Sequence, residues 1–254
     1  MEPIVIGKPK RITLADIVDQ AERAVGMMSE IRSAMLSPTA RKSPPRFNST
    51  QVAALCGIDK GHMAYRITKG DLPAGELNST RSRREFSLGE ARQWVREYRQ
   101  TALRPPGAEA VTISIGNFKG GVSKTTTAVT LAQGLSLRGH KVLVVDTDAQ
   151  GSLTTLFGIL PDTEVDDGDT ILPLCTGAES SIRYAIRPSY WDGIDLVAAA
   201  PLLYGAEFAL PARQARDPEF EFWNVLHYGL DDVRAEYDVI IIDTPPALSY
   251  TTIN

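Results

Sequence analysis

The stretch "NFKGGVSKTTTAVTLAQGL" at 117–135 brings two lysines, two adjacent glycines and a run of hydroxyl residues to the start of a helical pattern. These are the parts of a phosphate cradle. A polyphosphate is held by backbone N–H groups turned inward, by a helix N-terminus and by a lysine. Gly120 and Gly121 let the backbone curl. Val122, Ser123 and Thr126 complete the loop, Lys124 is placed to reach β- and γ-phosphates, and the Thr125 hydroxyl can ligate Mg²⁺. The stretch departs from G-x-x-x-x-G-K-[ST]. Counted back from Lys124 and Thr125, the two glycine positions hold Phe118 and Ser123. Ser123 must then adopt an ordinary φ or carry a small strain. Lys119 is the added feature. One cradle does not need two lysines; a second makes sense if it reaches phosphates across an interface.

The elements around this loop read as strand, loop, helix, strand. "VTISIG" from 111 is an apolar strand, Thr125–Gly139 is helical, and "KVLVVD" (141–146) is a buried strand ending in an acid. "GIDLVAAAP" (193–201) and "YDVIIIDTPP" (237–246) supply two more strands. Continuous Val/Ile runs between helical segments predict an α/β fold with a parallel sheet covered on both faces. In such sheets ligands bind at the C-terminal ends of the strands. The loop at 117–125, "DTDAQG" (146–151) and "DTPP" (243–246) all fall there, so Asp146, Asp148 and Asp243 join the lysines as candidates.

Charge divides the 254 residues. Residues 1–104 carry 18 Lys+Arg against 11 Asp+Glu, and residues 105–254 carry 9 against 20. A basic front half suggests a nucleic-acid surface. "FNSTQVAALCGIDKGHMAYRITKG" (47–70) reads as helix-turn-helix. Ser49 or Thr50 caps a first helix through Cys56, Gly57 makes the turn, and Asp59 caps a second helix through Ile67. Val52, Leu55, Ile58, Met63 and Ile67 form a small core, leaving Lys60, His62, Tyr65 and Arg66 outward, where such side chains can meet a major groove. Residues 70–86 read as a hairpin wing carrying Arg81, Arg83 and Arg84. "SLGEARQWVREY" then opens with Ser87 and Glu90 at capping-box spacing.

An amphipathic helix over 12–36, with Leu14, Val18, Ala21, Val25, Met28 and Met35 on one stripe broken by Arg32, is expected to dimerise. Linkers are expected at 37–46 and 101–110, dividing a module at 47–100 from one at 111–254. Cys56 and Cys175 are far apart, without metal-type spacing, which suits a reducing compartment. The N-terminus lacks a signal-peptide pattern and no run approaches a membrane span. A cytoplasmic protein is expected, with no membrane partner.

K-G-G-x-x-K-[ST] at 119–125, followed by "VLVVDTDAQG" at 142–151 and "VIIIDTPP" at 239–246, resembles the deviant Walker A family of ParA/MinD P-loop ATPases. The front module looks like the winged helix-turn-helix of MerR-type regulators, and the combination resembles the larger ParA partition proteins. The resemblance implies ATP or ADP with Mg²⁺ as cofactors. It makes Lys119 the lysine that crosses a nucleotide-sandwich homodimer and Lys124 the in-cis phosphate lysine. Thr125 becomes the Mg²⁺ ligand and Asp148 the acid that positions the attacking water. Asp146 supports the loop and metal shell, and Asp243 holds Mg²⁺ through water. It further implies a segregation ATPase that represses its own operon and binds nonspecific DNA in the ATP state. Such a protein is associated with the nucleoid and stimulated by a ParB-like partner. The alternative is a nucleotide-sensing repressor without significant turnover. The chain ends eleven residues after Asp243, in what reads as the first turn of a helix, so the ATPase domain is expected to be incomplete.

Overall fold

The structure, a computed structural model, describes residues 12–35, 42–80 and 82–254. They form two compact units, 1–42 and 43–254. The first is helix α1 (Leu14–Met35), whose Leu14, Ile17, Val18 and Val25 side chains are exposed. The side chains of Met28, Arg32 and Met35 lie outside the described set.

The second unit begins with β1 (Phe47–Asn48), α2 (Ser49–Cys56), α3 (Lys60–Lys69), β2 (Glu76–Leu77), β3 (Arg84–Phe86) and α4 (Leu88–Tyr98). The cap of α2 is Asn48, one residue before the expected Ser49. Its side chain accepts the Gln51 N–H at 3.0 Å, and Gln51 accepts the Asn48 N–H in return. Asn with Gln three residues later satisfies both orphan donors, leaving Ser49 inside the helix. Gly57 closes α2 at φ 73, and Asp59 caps α3 through the His62 N–H, as expected. Helix α3 runs two residues past Ile67, to the αL stop at Gly70. The three short strands form one antiparallel sheet in the order β1-β3-β2. Ser87 and Glu90 make the expected capping box on α4. Val52, Met63, Phe86, Trp94 and Val95 are fully or nearly fully buried together, and Trp94 satisfies its indole N–H on Pro73 O.

The rest is a five-stranded sheet with helices on both faces. Strands β4 (Val111–Ile115), β5 (Val142–Asp146), β6 (Arg187–Pro188), β7 (Ile194–Val197) and β8 (Val239–Asp243) lie in the order β4-β8-β5-β7-β6. The first four in that order are parallel; β6 closes the edge antiparallel to β7. Helix α5 (Lys124–Leu137) packs Ala128 and Ala132 against Val142, Val144 and Ile241. Short helices α6 (Ser152–Leu156) and α7 (Pro161–Glu164) follow β5, and α8 (Leu172–Thr176) precedes β6. Helices α9 (Ala206–Arg216) and α10 (Val225–Leu230) cover the other face, where Leu143, Val145, Val197 and Ile240 point, and α11 (Tyr250–Ile253) is the last element. Because side chains alternate along a strand, two-sided cover makes every residue of β5 buried. The strand expected over 193–201 stops at Val197. Ala198 N–H turns to Asp169 O and Ala199 N–H to the Thr154 hydroxyl, leaving the ladder.

Residues 101–110, expected as a linker, carry Arg104. It donates to Asp238, to Ala235 O and to Ala108 O. These contacts place the segment on the sheet rather than between freely separated modules.

Candidate functional site

Strand β4 delivers the chain to the loop at 116–123, and α5 begins at Lys124, so the loop sits at a strand C-terminus and a helix N-terminus together. Gly121 has φ 71, and a Cβ at Gly120 or Gly121 would meet nothing within 4 Å. The glycines are therefore permitted by conformation and open space, and both face a cleft. Ser123 has φ 64 and ψ 26, the one non-glycine residue at positive φ among the described residues. The expected alternative, an unstrained φ, does not hold. The left-handed region costs an L-residue free energy, and the Ser123 side chain makes no capping hydrogen bond that offsets it. Such strain collects at ligand clamps.

The cleft has a volume of about 580 Å³. Its lining includes Gly120, Gly121, Lys124, Thr125, Thr126 and Asp148. Val122 and Ser123 line it too, which brings together every loop residue expected to touch phosphate except Lys119. Lys119 is exposed and lies outside the lining, with its N–H donated to the Asn117 carboxamide at 2.8 Å.

The three acids have different surroundings. Asp243 ends β8 beside Asp146 of β5. Its side chain is about 1% exposed, and neither carboxylate oxygen meets a hydrogen-bond partner at normal geometry. Burial pushes its pKa up to about 6. The nearby Thr125 hydroxyl and Lys124 ammonium pull it back part of the way, while Asp148 raises it. A buried carboxylate with two idle oxygens is costly. Beside a threonine hydroxyl and a phosphate cradle, it fits a hydrated Mg²⁺, which keeps several waters and takes one or two carboxylates plus substrate phosphates. Thr125 and Asp243 would hold that ion.

Asp146 is hydrogen-bonded within the protein. It is fully buried and absent from the cleft lining. One of its oxygens accepts the Thr154 N–H at 2.9 Å and the Thr154 hydroxyl at 2.7 Å, and the other accepts the Asp148 N–H at 3.1 Å. These bonds suit a part in supporting the loop, and Asp146, like Asp243, lies outside the cleft lining. Burial, opposed by the Thr154 hydrogen bonds, lifts its pKa to about 7. Asp148 does face the cleft. It is half-buried and accepts the Gln150 N–H at 2.9 Å.

Sequence reading missed Thr154 and Tyr204. Thr154 clamps Asp146, and Tyr204 accepts a hydrogen bond from the Gln150 side chain at 2.8 Å. No short spacing signals either one, because the first partner is eight residues away and the second 54.

Among the residues expected to face DNA, Lys60, Tyr65 and Arg83 are exposed, and Arg84 is half-buried with a guanidinium bond to Ala74 O. Arg66 is not outward. Its side chain is 17% exposed and pairs with Asp71 at 3.0 Å and Glu97 at 3.1 Å, with a further bond to the Tyr98 hydroxyl. The intended contact is spent on holding α3 to α4. His62 is exposed but its Nε2 meets the same Tyr98 hydroxyl at 2.8 Å. Arg81 lies outside the described residues. Asn48, Ser49 and Thr50 at the start of α2 line a polar cleft of about 310 Å³ with Ser82, Arg83 and Arg84.

Comparison with known proteins matches the described geometry to a family. A family model described as AAA domain matches residues 110–254. Protein SopA of Escherichia coli (strain K12) is 32% identical over 228 residues, covering 86% of this chain and 58% of its own length. That share of the chain exceeds 110–254, so the likeness reaches into the front module. Chromosome partitioning protein ParA of Myxococcus xanthus is 38% identical over 142 residues, covering 56% of this chain and 47% of its own. Among solved structures, an ATP complex of a Cyanothece McdA variant superposes with a TM-score of 0.50 at 27% identity, covering 58% of this chain and 52% of that one. The chain spans about three fifths of the length of the curated relatives it matches over most of its own residues.

Proposed function

We propose that this chain, which belongs to the AAA-domain family as a ParA/MinD-type P-loop ATPase, works in DNA partition as an ATP-driven switch that also binds operator DNA. The observation that carries the ATPase reading is the buried, unpartnered Asp243 carboxylate beside Thr125, at the foot of a strained loop open to a cleft. A bound Mg²⁺–nucleotide would supply the charge that this carboxylate lacks. Lys124 and the N–H groups of 120–125 hold the β- and γ-phosphates; Thr126 adds a further contact. Asp148 orients the attacking water from the loop that Asp146 and Thr154 brace. Lys119, exposed beside the cradle, reaches the phosphates of a second copy, which links nucleotide occupancy to dimerisation.

The front module, 47–100, serves as a winged helix-turn-helix. Lys60 and Tyr65 of α3 face the major groove, while Arg83 and Arg84 with the α2 N-terminus take a backbone phosphate. Helix α1 pairs with a second copy through its exposed apolar side chains. A ParB-like partner stimulates turnover, and the protein resides on the nucleoid in the cytoplasm. The similarity to SopA and ParA supports the partition role. Among the described residues no helix is long and apolar enough to cross a membrane.

Two titrations test the reading. The chain should bind a fluorescent ADP analogue in Mg²⁺ buffer, and Lys124→Ala should weaken that binding by about 10- to 150-fold, the range of a lost charge-assisted contact to phosphate. Unchanged affinity would sink the cradle. Binding to its own promoter DNA, run beside random DNA with and without nucleotide, tests the second role. Specific binding without ATP turnover would favour the nucleotide-sensing repressor.

A further inference from the structure

Helix α5 has one end in the nucleotide cleft and the other against α4. At that far end its last carbonyls need donors, and α4 supplies them. The Arg92 guanidinium is 9% exposed and donates to Ser136 O at 2.6 Å, to the Ser136 hydroxyl at 2.7 Å and to His140 O at 3.0 Å. Arg96 donates to Gly139 O. The Ser136 hydroxyl donates its own proton to Asp192 O and accepts from the Trp191 indole, so the serine is locked from three sides. Gly193 leaves room for the guanidinium: a Cβ there would lie 2.0 Å from Arg92 Cζ. Two cations at a helix C-terminus also complement its dipole. Surface helices do not usually bury an arginine to reach a neighbouring module, so this junction is built.

The other end of α4 faces α3. Glu97 and the Tyr98 hydroxyl hold Arg66, and the same hydroxyl meets His62. The route from Thr125 to His62 is therefore α5, then Arg92 and Arg96, then α4, then Glu97 and Tyr98. Each junction is a set of named hydrogen bonds, and α5 spans about 21 Å of it.

We propose that α4 is the transmission between the two sites. On this account a phosphate seated at the N-terminus of α5 sets the position of that helix. The Arg92–Arg96 clasp passes the shift to α4, and Tyr98 passes it to α3, the face that meets DNA. This rests on the nucleotide site proposed above and adds to it the regulation of the front module.

Coupling between sites is established by measuring it, not by proximity, and amide hydrogen exchange on the full chain reads the route without needing DNA. Mg²⁺–ADP is the probe, and its binding is measured in parallel with a fluorescent analogue. In the wild-type chain, saturation should slow exchange in α5 and, by about fivefold, in α4 and α3. Arg96→Ala and Tyr98→Phe are mild enough to fold, since one trims an exposed side chain and the other removes a single hydroxyl. Both should bind nucleotide as wild type does; Arg96→Ala, which leaves the Arg92 bonds, should weaken the protection in α4 and α3, and Tyr98→Phe, which leaves the Glu97–Arg66 pair, should weaken it in α3 alone. Protection that stays within α5 of the wild type, with nucleotide bound, overturns the transmission and leaves the cradle standing. So does protection of α3 that is the same in both variants as in the wild type. No nucleotide binding at all overturns the cradle, and the transmission falls with it.

Discussion

Replacing Asp243 with asparagine should stabilise the chain while removing its response to Mg²⁺. Asp243 has an ordinary pKa of 3.8 when unfolded and about 6 in the fold, raised mainly by burial. The folded chain therefore keeps a proton that the unfolded chain releases. This group's contribution is fully favourable below pH 3.8, declines as pH rises, and is lost by about pH 6 and above. A shift of about two units at about 1.4 kcal/mol each costs the metal-free fold about 3 kcal/mol at pH 7. Asparagine carries no charge but leaves its own amide without partners, which returns about 1–2 kcal/mol. The net gain for Asp243→Asn at pH 7 is then about 1–2 kcal/mol, or about 2–8 °C in Tm for a chain of this size. The assay is thermal unfolding in EDTA at pH 4, 5, 6 and 7. The variant should be about 1 kcal/mol less stable than wild type at pH 4, and the difference should change sign as pH rises and reach its full value by pH 7. With Mg²⁺ and nucleotide at about 100 times Kd the wild type should gain about 2.7 kcal/mol, and the variant much less. A variant no more stable than wild type at pH 7, or a difference independent of pH, would refute the claim that the idle carboxylate is what the metal relieves.

Substitutions at four further positions probe the same edge and the front module. Ser123→Gly should stabilise by about 0.5–1 kcal/mol, because the left-handed penalty of about 1–2 kcal/mol exceeds the entropy glycine adds to the unfolded chain. Ser123→Ala should be neutral and Ser123→Val destabilising, all read by urea unfolding. Gly151→Ala should destabilise by about 2 kcal/mol or more, since φ is +60 and a Cβ would sit 2.8 Å from Ala199 O and 2.5 Å from Pro161 Cγ; a smaller loss by the same method would mean the loop after Asp148 yields. Arg83→Ala with Arg84→Ala should lower the salt dependence of DNA binding by about one unit of log–log slope per lost phosphate contact. An unchanged slope in a fluorescence titration would take the wing off the DNA.

What could be read in the sequence was what short spacing encodes. Lys124 and Thr125 follow the loop directly, Asp243 ends its strand, and Ser87 with Glu90 lie three apart. The parallel sheet followed from unbroken Val/Ile runs, although its antiparallel edge β6, two residues containing Pro188, has no such run. Partners distant in sequence were out of reach. Arg66 looked outward because a helix pattern says nothing of Glu97 and Tyr98, more than thirty residues on. Asp146 was read with the metal shell because its clamp, Thr154 of α6, carries no short-spacing signal. The φ of Ser123 was legible only as a choice between two costs, and the backbone decided it.

Three of the places where this chain goes against ordinary folding rules are close together. Ser123 is strained, Asp243 is buried without a partner, and Asp146 is a buried acid whose pKa reaches about 7. Each lies at the C-terminal edge of β4, β5 or β8, within or just beneath one cleft. Apart from Asp146, β5 is wholly apolar and its neighbours pack in register. The charge pattern of the site explains why they coincide: Lys124 and Asp148 line one open cleft, and Asp243 lies beside Thr125 at the end of its strand. An anionic ligand with a divalent cation would meet the lysines with one part and Asp243 with the other. The free energy lost by the empty fold is the free energy available for binding, and a ligand that relieves it at this edge biases the helix that starts there.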